Sequence, residues 1–228
     1  MSPAEAEDAR FARQALLPGV GPAGQQLIRD SRIHVGGAGA TAGPALLYLA
    51  QAGVGTIYLD DGGDVDGGDA GSWLYAPDQV GQQRLLVAIE ALRAASSLVR
   101  FRPFSTDVEP TAILVCAQHE SVARTAAERA RLSGLPHVVA LASGDGGVVV
   151  AIPSGAPCLG CASRPSARLP PRAGAASAIG TLAAVELLLV IARLLPGTAI
   201  GRRFDLAEGW PSVRPTERVA GCDCHVVH

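Results

Sequence analysis

The sequence predicts an α/β domain built on a doubly wound, mainly parallel sheet of the Rossmann-like kind, with an antiparallel extension. Two observations predict it. Apolar β-like runs alternate with helix-like stretches from Arg32 to Ala142, which is how parallel strands joined by crossover helices read. The run Ile33-His34-Val35 meets the turn Gly36-Gly37-Ala38-Gly39-Ala40-Thr41-Ala42-Gly43, and a helix-like stretch then leads to a second strand closed by Asp60 and Asp61. That order is how such sheets build a nucleotide site, because glycines let backbone N–H groups approach a phosphate at a helix N-terminus.

Each element follows in turn. Residues 22–30 read as a helix, 32–36 as a strand, 43–53 as a helix and 55–60 as a strand, and 62–71 form a loop rich in glycine and aspartate. Residues 81–96 are helical, Val99 to Phe104 and Ala112 to Ala117 are strands, and a helix from about Glu120 to Ser133 precedes a strand from His137 to Ala142. Val148 to Ile152 and the stretch around Arg202 to Leu206 could pair antiparallel and extend the sheet. The least polar segment, Ile179 to Leu195, is interrupted by Glu186 and Arg193. It is therefore expected as a buried helix, starting near Ser177, rather than a bilayer span. The expected organisation is a single domain over residues 1–228: a helical arm (1–31), a nucleotide-binding half (32–152), and a crossover, core helix and tail (153–228).

Composition narrows the function. With 228 residues, 48% hydrophobic and 18% charged, the chain can bury one substantial core. A formal charge of −2 gives no electrostatic reason to expect nucleic acid as a partner. All 19 basic residues are arginine, so chemistry that needs a lysine is excluded within this chain. The N-terminal MSPAEAEDAR lacks the basic and apolar blocks of an export signal, and a cytoplasmic setting without membrane attachment is expected.

Four cysteines carry the next signal. Cys158 and Cys161 form a C-x-x-C, and Cys222 and Cys224 a C-x-C near the end. Two short knuckles from distant segments suit one tetrahedral zinc site that clamps the C-terminal tail, with His225 or His228 as possible replacements for one sulfur. The alternatives are two pairs that never meet, or a redox dithiol. Cys116 ends a predicted strand and faces the ligand crevice, where it reads as a small half-buried residue rather than a nucleophile.

The segment from Arg10 to Asp61, then APDQVGQQRLLVAIEAL, GAPCLGCAS, the helix with Glu186, and FDLAEGW leading into GCDC together resemble the ThiF/MoeB/HesA family, bacterial relatives of ubiquitin-activating enzymes. The resemblance covers nearly the whole chain. It implies binding of ATP and Mg²⁺ on the sheet and transfer of AMP to the C-terminal carboxylate of a small ubiquitin-like carrier protein or peptide. It also implies a homodimer in which an arginine of the N-terminal segment, here Arg13, reaches the partner's nucleotide.

Carried over residue by residue, the resemblance places the phosphate turn at Gly37 and Gly39, with alanine replacing two further glycines, and the ribose acceptor at Asp61. The family's catalytic lysine falls on Arg84, its phosphate-binding arginine on Ser72, and its metal-associated aspartate on His119, beside Glu120. The cysteine some members place before the core helix is absent from Pro165 to Ala178. Adenylation brings two anions together and depends on cations and metal to neutralise them. Two readings follow: a pseudoenzyme or scaffold that binds a carrier, a peptide or an active homologue, and a divergent adenylyltransferase rebuilt around Arg84, Arg13 and Glu120. An NAD-dependent dehydrogenase would need a catalytic acid and a substrate domain, and neither is apparent toward the C-terminus.

Overall fold

The computed structural model describes residues 3–18, 20–117, 120–154, 157–162, 172–192, 201–207, 210–222 and 224. Its centre is an eight-stranded sheet. The first five strands are β1 (Arg32–Gly36), β2 (Thr56–Asp60), β3 (Arg100–Pro103), β4 (Ala112–Cys116) and β5 (His137–Ser143). They pair in parallel, in the spatial order β3-β2-β1-β4-β5. The sheet continues antiparallel through β6 (Gly146–Ile152), β7 (Gly201–Ala207) and β8 (Trp210–Thr216). The expected antiparallel extension is therefore present. β8 was not foreseen, because Pro211 and Pro215 read against a strand. As the sheet's edge it has no ladder partner on one side among the described residues, and there proline is tolerated.

Helices α1 (Pro3–Ala15) and α2 (Gly21–Arg29) form the arm, followed by α3 (Ala42–Gln51), α4 (Arg84–Ala95), α5 (Glu120–Leu132) and α6 (Ala173–Ile191). α3, α4 and α6 bury one face of the sheet around Ile33, Ile57, Phe101, Leu114, Val138 and Val149. α5 covers the other face with Ala123, Ala127 and Ala130, packed over Ile113, Val115 and Val139. β4, apolar at every position, is buried throughout, as a strand covered on both sides must be. Phe11 of α1 is 4% exposed, and Arg10 Nη2 donates to Gln51 Oε1 at 2.6 Å, so the arm is held against the end of α3.

The core helix begins at Ala173, earlier than expected. Its length corrects the estimate from sequence: Gly174–Ile191, with mean hydropathy 2.0, is long and apolar enough to cross a membrane by length and composition. Half of that stretch is buried inside the fold, against α3, β5 and β6. Glu186 is buried at 2% exposure and paired with Arg202 of β7 at 2.8 Å. Gly180 lets α6 cross α3 closely, since a Cβ there would lie 2.0 Å from the Thr41 carbonyl oxygen. Arg193 lies outside the described residues.

Candidate functional site

β1 and β4 are neighbours whose connections leave in opposite directions, so their carboxyl ends open a crevice at the switch point of the sheet. Gly37 leaves β1 with φ +96°, and a Cβ there would sit 2.3 Å from the Cys116 carbonyl oxygen. Only glycine passes there. The turn then reaches Gly39 and the N-terminus of α3, and with β4 and α5 it encloses a cleft of about 860 Å³. Gly37, Gly39, Asp60, Asp61, Arg84 and Cys116 all line it. The glycine turn, the acidic pair and Arg84 thus line one cleft.

Their bonding is the unexpected part. The Asp61 carboxylate accepts the Ala38 N–H of the turn itself at 2.7 Å and the Gly63 N–H at 2.8 Å. Arg84 Nη1 lies 3.3 Å from the same carboxylate. The rest of the guanidinium is also occupied: Nε donates to Asp69 at 2.8 Å and Nη2 to the Asp64 carbonyl at 2.8 Å, with Asp66 at 3.8 Å. The side chains of Arg84, Asp61 and Asp69 are 13%, 7% and 3% exposed. Burial alone would lower the Arg84 pKa, and Asp61 and Asp69 more than offset it. The aspartate-rich loop is therefore a cage around one cation. Tyr75 closes it from below, its hydroxyl donating to the Ala38 carbonyl at 2.6 Å.

Other expected residues fall elsewhere. Arg13 is exposed on α1 and does not line this chain's cleft. Ser72 sits in the loop, its N–H donating to the Asp69 carbonyl at 3.0 Å, outside the cleft lining. His119 lies outside the described residues, and neighbouring Glu120 is paired with Arg124 at 2.6 Å. Burial pushes the Cys116 thiol up to about 12, so it is held protonated, in keeping with its reading as a packing residue.

Sequence reasoning missed His34, Phe104 and Arg129, which also line the cleft. The His34 and Phe104 rings stack at 3.7 Å and 6°, and His34 Nε2 lies 3.4 Å from Asp60 Oδ2. Burial lowers the His34 pKa although Asp60 opposes it. The only available signal was a histidine inside the apolar run of β1.

The four cysteines converge. Their sulfurs all lie within 4.8 Å of one another, with Cys158 to Cys222 at 3.7 Å and Cys161 to Cys224 at 3.6 Å. A tetrahedral ion with metal–sulfur bonds of about 2.3 Å has sulfur–sulfur edges of about 3.8 Å. The group could hold such an ion with no sulfur from elsewhere. Arg203 fixes the first knuckle by donating to the Ala162 carbonyl at 3.2 Å while paired with Asp205. Arg131 of α5 reaches the Cys224 carbonyl at 3.4 Å. His225 and His228 lie outside the described residues.

A doubly wound sheet with a glycine turn at its switch point and a cysteine cluster joining the tail to the domain defines a Rossmann-like α/β fold. The chain belongs to the ThiF family, which residues 11–196 match. It is 34% identical over 162 residues to the adenylyltransferase and sulfurtransferase uba4 of Neosartorya fischeri, an alignment covering 67% of this chain and 33% of that protein. To the heterocyst protein HesA of Trichormus variabilis it is 40% identical over 95 residues, covering 41% of this chain and 35% of that one. The chain thus spans about a third of these relatives. The crystal structure of E. coli MccB with MccA shares the fold, with TM-score 0.80 at 17% identity over 95% of this chain and 74% of that one. A second MccB structure, holding ATP, matches with TM-score 0.77 at 17% identity over 94% and 74%.

Proposed function

We propose that this ThiF family member is a binding protein that keeps the family's frame without adenylating: a pseudoenzyme or scaffold for a small ubiquitin-like carrier protein, a peptide or an active homologue. The observation that carries the proposal is the cage at the switch point. A triphosphate needs free N–H donors and free positive charge. Here the Ala38 N–H is bonded to Asp61, and Arg84 is neutralised by Asp61 and Asp69. That bonding supports the binding reading, because a donor of the turn and its nearest cation are already engaged by carboxylates.

The cysteine cluster does fit a metal. Zinc held by Cys158, Cys161, Cys222 and Cys224 would leave no open coordination position, so its contribution is structural. A reducing cytoplasm would keep those thiols available to it. A homodimer belongs to the same proposal, for α3 and α6 leave Tyr48 and Val185 50% and 45% exposed. Nearby Trp73, 58% exposed, reaches Ser177 of α6 at 2.9 Å.

A second reading, an active ATP-dependent adenylyltransferase acting on a carrier's C-terminal carboxylate, is favoured by one observation: Gly37, Gly39, Asp61 and Arg84 still line one cleft. Calorimetric titration of the metal-loaded protein with ATP, with and without Mg²⁺, separates the two. The expected result is no heat up to millimolar ATP from folded protein. Micromolar binding that tightens with Mg²⁺, accompanied by ATP–pyrophosphate exchange, would overturn the binding-only reading.

A further inference from the structure

Among the described residues, one half of the sheet lacks the cover its topology calls for. β1 to β2 and β2 to β3 are joined through α3 and α4, and β4 to β5 through α5. β3 and β4 lie on opposite sides of the β1–β2 pair. A right-handed connection between them must therefore cross the face that α5 occupies, and such crossovers ordinarily take a dozen or more residues and a helix. Residues 104–111 alone make this one. They run as a strap from the top of the sheet, where the Phe104 N–H donates to the Leu59 carbonyl at 2.8 Å, to its foot, where the Thr111 N–H donates to the Arg32 carbonyl at 2.7 Å.

The consequence shows in the packing. On the α5 face the buried cluster draws only on β4, β5 and β6 among the strands, and none of its members comes from β1, β2 or β3. Between the strap and α5 lies the outer part of the cleft, lined by His34, Phe104 and Val108 on one side and by Val122, Ala126 and Arg129 of α5 on the other. It is continuous with the glycine turn. The strand register puts Arg32 and Thr56 beside Arg100, and His34 and Tyr58 beside Arg102, on this same face. Among the described residues no carboxylate lies at ion-pair distance from Arg32, Arg100, Arg102 or Arg129, whereas Asp60 is opposed by His34.

The geometry points to this groove as the docking site for an acidic amphipathic helix of a partner, lying where the crossover helix would lie and replacing it in trans. The apolar side of such a helix meets Val108, Val122 and Ala126, and its carboxylates meet Arg129, which lines the groove, and Arg32 at the foot of β1. The small side chains of α5 facing the groove, Ser121, Thr125 and Ala126, leave room for a second helix alongside at ordinary packing distance. This deepens the binding reading above by naming the surface and the chemistry of the partner.

The test uses fluorescein-labelled synthetic amphipathic helices of about four turns, alike in their apolar residues but acidic or basic on the polar side, with a proline-broken acidic version as control. Anisotropy is measured against the metal-loaded full chain. The acidic helix is expected to bind, and Arg129→Glu on the surface of α5 and Val122→Glu on its exposed groove side each to weaken it by roughly tenfold or more. Arg218→Glu, outside the groove, is expected to leave it unchanged. No binding of the acidic helix, or equal binding of the basic or proline-broken peptide, overturns the proposal. The result is independent of the ATP titration: turnover of ATP would remove the binding-only reading and leave the groove standing, and an empty groove would do the reverse.

Discussion

At the scale of single residues, Arg84 has the most consequences. Its guanidinium compensates two nearly buried carboxylates, Asp61 and Asp69, so Arg84→Met is expected to cost about 3 kcal/mol by leaving them unpaired, read as a lowered urea midpoint at unchanged slope. Gly37→Ala is expected to destabilise by a similar amount, about 3 kcal/mol, because φ +96° and the Cys116 carbonyl both refuse a side chain. His137 provides a pH dependence. It is 1% exposed, its Nδ1 faces the Leu135 carbonyl at 3.0 Å, and Nε2 has no partner among the described residues. Burial lowers its pKa, so the unfolded chain takes up the proton first. Its contribution to stability is present above the unfolded value of about 6.5 and is lost as the pH falls through the folded value. Thermal melts between neutral and mildly acid pH are expected to show that loss, and His137→Leu to flatten it. The chemistry of Gly37, Asp61 and Arg84 as site residues was legible from spacing alone. That Arg84 is caged was not, because residues 61, 69 and 84 meet only when the loop folds back.

At the scale of elements, the two cysteine knuckles tie β8 and the tail to the loop after β6. Removing the metal with a chelator, or making Cys222→Ser, is expected to lower the melting temperature and to release about one ion per chain by elemental analysis. Cys116→Ala is expected to leave metal content unchanged, since that thiol stands apart in the cleft. The knuckles were legible because C-x-x-C and C-x-C spacing carries its own geometry. β8 was not, because edge strands accept the prolines that argue against a central strand. The early start of α6 was missed for a different reason: alanine and glycine mark its first turn, and neither type signals a helix start.

At the scale of the whole molecule, α3 and α6 bury the sheet with their inner faces and present Tyr48 and Val185 outward, with Trp73 of the loop before α4 also exposed. The homodimer proposed above is expected to appear in light scattering at micromolar concentration, and Val185→Arg with Tyr48→Arg to shift it to the monomer without altering the far-ultraviolet spectrum. A monomer in the unaltered protein would sink that expectation, and would leave Arg13, exposed and away from its own chain's cleft, without a partner site to reach.

Periodicity, glycine placement and cysteine spacing determined the order of elements, the parallel sheet, the position of the switch-point turn and the two separate cysteine knuckles, because each depends on residues within a turn or two of one another. Only the tertiary structure decided that the aspartate loop closes on Arg84, that His34 stacks on Phe104, and that a strap replaces a helix between β3 and β4. Those outcomes depend on which distant segments share a face, and a local pattern does not encode that.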